Sequence, residues 1–237
     1  MKYRVQPLLL VIATLLSFSL SAQDHETLTE VMFAESEPGI ADYPSRVLMN
    51  ARYLRFDDGI DGGDYVLFDR DTREIHSFNH DDETHLRIVP SASEAPEFDL
   101  DFSVERRVLS DAPAVNGRQP VEHVYRANGQ LCRKSVNVEG FLEELRLQLV
   151  AYEQTLVTQG LQTLERLPAA LRTACYMANH YLYATSYLDA GFPMYVEDYT
   201  GTKKRLISFS QVEKPTSMMG FVEDYRVYYA TEPEPEK

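Results

Sequence analysis

The sequence predicts an α+β protein: a curved antiparallel sheet of about 8–10 strands, an incomplete barrel, with a helical pair packed against it. Three observations carry this expectation. From Arg46 to Val89, short apolar stretches alternate with turns rich in Asp and Gly. From Phe98 to Glu105, apolar and polar residues alternate strictly, the period of a half-buried strand. From Glu139 to about Leu188, the apolar spacing changes to that of helices.

The first residues point to export. Lys2 and Arg4 precede an apolar run from Pro7 to Leu20, and Ser21-Ala22 follow. This order is that of a secretory signal peptide, expected over residues 1–22 with cleavage after Ala22. The run is short for a membrane span of roughly 20 residues, so no stable insertion is expected once it is removed. No Cys follows the cleavage region for lipid attachment. One domain is expected over 23–230, and TEPEPEK at 231–237 reads as a disordered acidic tail.

The chain carries 23 Lys and Arg against 37 Asp and Glu, a net charge of −14. Such a surface repels phosphate backbones and anionic headgroups, which argues against nucleic acid as a partner. Cys132 and Cys175 are the two cysteines. In an oxidising compartment they are most simply a disulfide, worth roughly 4 kcal/mol in the chain-entropy model. Two unrelated buried thiols are the alternative; the C-x-x-C spacing of a redox pair does not occur.

The elements follow in order. Glu26–Ala34 reads as a short helix with Thr27 as its cap, and Glu35–Pro44 as a loop. Four meander strands follow: Val47 to Tyr53 and onward, Tyr65–Phe68, Glu74–Phe78 and His85–Val89. A hairpin is expected over 121–138 because Asn128-Gly129 suits a two-residue turn. One helix should run from Glu139 to Leu167, ended or broken at Gly160, and a second from Pro168 to Leu188. The second would carry Cys175 over the sheet. Beyond Gly191-Phe192-Pro193 come a hairpin turning at Thr200-Gly201-Thr202 and an aromatic last strand with Phe221, Tyr225, Val227 and Tyr229.

Three segments, YLRFDDG (Tyr53–Gly59), YVLFDRDTREIHSFN (Tyr65–Asn79) and GFPMYVEDYTGTKKRLISF (Gly191–Phe209), carry a family resemblance. With the order of parts, they resemble the LolA-like superfamily of outer-membrane lipoprotein carriers, nearer to its uncharacterised periplasmic relatives. The resemblance implies an incomplete antiparallel barrel around helices, with an apolar concavity that in the carrier holds acyl chains. The helical insertion at 139–188 and the cysteine pair depart from the carrier.

No catalytic signature emerges. G-x-S-x-G is absent, and the glycines of Gly59–Gly63 sit in an acidic turn between strands, the wrong sign for phosphate. Asp57, Asp58, Asp61 and Asp64 resemble calcium ligands, but the twelfth position of an EF-hand alignment is Phe68, so a solvated turn is favoured. His76, His80 and His85 lie near one hairpin, but a turn at 79–84 pairs His85 with Phe78 and His76 with Arg87, without convergence on a metal. Catalytic residues, metal and cofactor are therefore expected to be none. Phe98, Leu100, Phe102, Val104, Tyr225 and Tyr229 are the candidate apolar-ligand residues, sheet core being the alternative. The resulting expectation is a non-enzymatic, soluble periplasmic protein that binds an apolar ligand or lipidated partner, lipid or lipoprotein, in a sheet-lined concavity. The alternatives are an envelope interaction protein whose helices fill the concavity, and a hydrolase or metal-binding protein. The oligomeric state is not readable from the sequence.

Overall fold

The structure, a computed structural model, describes residues 24–91 and 98–230. The expected signal segment, the acidic tail and residues 92–97 lie outside the described residues. The first strands are β1 (His25–Ser36), β2 (Tyr43–Met49), β3 (Tyr53–Asp57), β4 (Tyr65–Asp69), β5 (Ile75–Asn79) and β6 (Thr84–Ile88). They are followed by β7 (Phe102–Val108), β8 (Val121–Ala127), β9 (Gln130–Val138) and helix α1 (Glu143–Thr163). Short helices α2 (Ala174–Met177) and α3 (Ser186–Asp189), then β10 (Phe192–Asp198), β11 (Lys203–Pro215) and β12 (Arg226–Tyr229), complete the order of elements.

All strands join one 12-stranded sheet in the order β12-β6-β5-β4-β3-β2-β1-β11-β10-β9-β8-β7. This corrects the expected fold class. The sheet is mixed, because β12 runs parallel to β6 while the other neighbours are antiparallel. One long helix packs on it, not a helical pair. The expected second helix breaks into a 3₁₀ turn (Ala169–Leu171), α2, a π turn (Ala178–Leu182) and α3. Its polar side chains are committed elsewhere: Thr173 caps α2 and Asn179 donates to the Cys132 carbonyl. The Cys132–Cys175 disulfide, Cα to Cα 4.8 Å, ties this segment to β9.

Two further elements differ from expectation. The residues read as a helix at 26–34 form β1, whose Leu28 faces one side of the sheet while Val31 and Phe33 face the other. A strand buried on both faces shows apolar residues at helix-like spacing, and its Thr and Val favour extended backbone. The first meander strand is two strands, β2 and β3, because the Asn50 side-chain oxygen accepts from the amides of Arg52 and Tyr53 and closes a turn. The hairpin β8–β9 forms as read, with Asn128 and Gly129 at φ 51° and 77°.

Alternation along the strands builds two apolar layers. On the inner face, Val31, Phe33, Val47, Met49, Leu54 and Phe68 pack with Leu145, Leu149, Tyr152 and Leu156 of α1. On the outer face lie Leu28 and Leu48, and farther along Tyr65, Leu67 and Phe78. The segment from Thr216 to Tyr225 straps this outer face: Met219 packs on Leu28 and Leu48, and Val222 and Tyr225 on the Tyr65 cluster. Polar groups fix the strap, since Arg55 donates to the Met218 carbonyl at 2.7 Å and the Tyr65 hydroxyl to that of Gly220 at 2.9 Å.

Candidate functional site

Between the sheet and α1 the inner layer leaves a hollow of about 340 Å³. Its apolar wall is Phe33 of β1, Val47 of β2, Phe56 of β3 and Leu149 of α1. Tyr152 and Glu153 of α1, Tyr187 and Leu188 of α3 and Arg133 of β9 line the rest of the interior. Glu35, Lys203 and Lys204 come from the strand ends where β1 meets β11.

Glu153 is the unusual side chain here. It falls four residues after Leu149 and three before Leu156, inside the apolar stripe of the helix. Its carboxyl accepts from the Tyr187 hydroxyl at 3.1 Å, and among the described residues no cation lies within ion-pair distance of it. Burial pushes its pKa above the usual carboxylate range, with Arg133, the Tyr187 hydrogen bond and Lys204 offsetting part of that rise. Burial likewise raises Tyr152 and Tyr187 above the ordinary tyrosine range, so both stay neutral.

Arg133 lies against the Tyr187 ring, 4.4 Å from its centroid, and donates to the carbonyls of Ala184 and Asn179. Lys204 pairs with Glu35 at 2.8 Å and sits over the Phe33 ring. Burial opposes ionisation of Glu35, but Lys204 and the hydroxyls of Ser45 and Tyr43 outweigh it and lower its pKa. The Glu35 charge is thus answered within the protein, while among the described residues no carboxylate lies within ion-pair distance of Arg133.

The six residues singled out for an apolar ligand do not meet in this hollow. Leu100 and Phe102 pack against the disulfide cluster, Phe102 stacked on Tyr183 at 3.6 Å, and Val104 is exposed on the edge strand β7. Phe98 is exposed ahead of β7. Tyr225, at the end of the strap, packs on Tyr65, and Tyr229 is exposed on β12, the opposite edge of the sheet. The residues that do line the hollow were not singled out; a Glu in an apolar helical stripe was the available signal.

The acidic turn and the histidines have structural employment. Asp57 and Asp61 take up Arg46, Asp57 also takes Arg55, and Asp64 accepts from Asn79. His85 pairs with Phe78 and His76 with Arg87, as the turn position implied, yet the two rings meet diagonally with Nδ1 of His76 3.0 Å from Nε2 of His85. Among the described residues no group of three or more His, Cys, Asp or Glu is placed to hold a metal ion, and no helix is long and apolar enough to cross a membrane.

No protein-family model and no curated protein matches the chain. Among solved structures it is similar to an uncharacterized conserved protein from Thermus thermophilus, with 10% identity and a TM-score of 0.39 over 86% of this chain and 90% of that one. It is also similar to PNGF-II, in two crystal forms, with 10% identity and TM-scores of 0.40 and 0.41. Those matches cover 86% of this chain and 31% and 32% of the PNGF-II chains. Likeness at this level carries no functional argument.

Proposed function

We propose that this is a non-enzymatic periplasmic protein of LolA-like type that binds an apolar ligand, or the lipid of a lipidated partner, in the hollow between sheet and helix. The supporting observation is the hollow itself. At about 340 Å³ it lies at the lower end of small-molecule sites, and apolar side chains of β1, β2, β3 and α1 face it. Leu145 and Phe141 fill the neighbouring part of the interior. The capacity therefore suits one chain or one compact apolar molecule, not a bundle of acyl chains. The disulfide supports the oxidising compartment.

Native mass spectrometry of protein purified from the envelope tests this reading. A copurifying lipid-sized mass is expected, along with a rise in melting temperature on adding single-chain amphiphiles. Finding neither removes the proposal. A second reading, an envelope interaction protein, is favoured by β7, an edge strand whose Ser103 to Val108 are exposed on both faces.

A further inference from the structure

The ligand class can be read from what the hollow leaves unspent; the inference rests on the ligand-binding reading above. Arg133 has no carboxylate within ion-pair distance among the described residues, and its two side-chain hydrogen bonds go to backbone carbonyls. A guanidinium offers five N–H donors, so it keeps capacity for a further acceptor. Glu153 is met by one hydroxyl and no cation within ion-pair distance among the described residues, and burial raises its pKa, which disfavours its charged form. The Tyr152 ring packs on Phe56 and Phe68, and its hydroxyl has no hydrogen-bond partner among the described residues.

The other acidic groups of the same hollow, Glu35 and Asp198, are already occupied. Glu35 holds Lys204 and accepts from Ser45. Asp198 closes its own turn, accepting from the amides of Thr200 and Thr202. The interior therefore offers donors and a guanidinium with no ion-pair partner among the described residues, in a protein whose net charge is −14. Beside these donors stand Phe33, Val47, Phe56 and Leu149.

We propose that the hollow takes a single-chain amphiphile with a carboxylate head, the head on Arg133 with the Tyr152 hydroxyl as a further donor, and the chain along the Phe33–Phe56–Leu149 wall. The planar guanidinium matches a carboxylate in two parallel hydrogen bonds, which a hydroxyl head cannot form. A cationic head would meet Arg133 with like charge.

The test is calorimetric titration of the lipid-free, full-length mature protein with three ligands of equal chain length: decanoate, decanol and decyltrimethylammonium. Decanoate is expected to bind at least about tenfold tighter than decanol, and the ammonium weakest, since a charge-assisted pair adds that much or more. Arg133→Met should bring decanoate to the level of decanol while decanol is unchanged. Because Arg133 also anchors Ala184 and Asn179, the wild-type series decides the matter alone if that variant does not fold. Equal binding of decanoate and decanol overturns the carboxylate assignment and leaves the apolar hollow standing. Tightest binding of the ammonium overturns it too, making Glu153 a counter-ion. No binding of any of the three overturns the underlying ligand-binding reading as well.

Discussion

His76 and His85 show how a buried pair couples fold to acidity. Their nitrogens lie 3.0 Å apart, so one ring must donate and the other accept, and two protonated rings would repel. Phe221 of the strap packs edge-on against both rings, while Glu74 and Arg87 are the charged groups nearest the pair. Burial first, then the His85 and Arg87 charges, depress His76 to about 4, with Glu74 opposing; burial and Arg87 depress His85. The unfolded chain binds these protons at a higher pH than the folded one. Stability is therefore full above pH about 6.5 and falls as pH drops toward 4. The loss is up to about 3 kcal/mol for His76. Urea titrations between pH 7.5 and 4.5 should show this slope in the wild type and a flatter one in His76→Leu. An equal slope in both would mean that His76 is not the group responsible.

Arg46 belongs to the same scale. Its guanidinium, 4% exposed, is gripped by Asp57 at 2.8 Å and by Asp61 at 2.8 Å. Arg46→Met should cost about 3–5 kcal/mol, because Asp57 would be left buried with one cation instead of two. The measurement is the denaturation midpoint at unchanged m-value.

Among the elements, the junction between α3 and β10 has the least room. Gly191 has φ 119°, and a Cβ there would stand 2.9 Å from the Val138 carbonyl carbon and oxygen. Backbone cannot yield as a side chain would, so Gly191→Ala should destabilise by more than about 2 kcal/mol. Thermal unfolding checks it, and a loss below about 0.5 kcal/mol would contradict the close approach. The sequence made some elements readable and hid others for physical reasons. Asn128-Gly129 prescribes its hairpin locally, and the cysteine pair announces its bridge through compartment chemistry. The 168–188 segment has helical spacing but spends its Thr and Asn on caps and on the β9 backbone, which spacing alone does not reveal. β1 mimics a helix because both of its faces are covered. The hollow was illegible because its lining joins β1–β3 to β9, α1, α3 and the start of β11, which lie far apart along the chain, and Glu153 reads as one more solvent-facing acid until the helix is docked.

On the scale of the whole molecule, the strap makes the sheet a middle layer between α1 and Thr216–Tyr225. Met219, 2% exposed against Leu28 and Leu48, is its deepest contact. Met219→Ala should lower stability by about 2–4 kcal/mol in urea denaturation. A change under about 0.5 kcal/mol would show the strap to be decoration outside the cooperative unit.

One interior seam of the sheet joins β1 to β11, strands far apart along the chain, with Thr27 opposite Glu213. That seam cannot exist until β11 has been made, so β1 waits with a bare edge and two bare faces while the ribosome is still working. Closing so large a loop makes the final zippering slow and leaves the partly built chain open to self-association. In a chain of this design β11 acts as the latch, and the sheet closes only when it arrives.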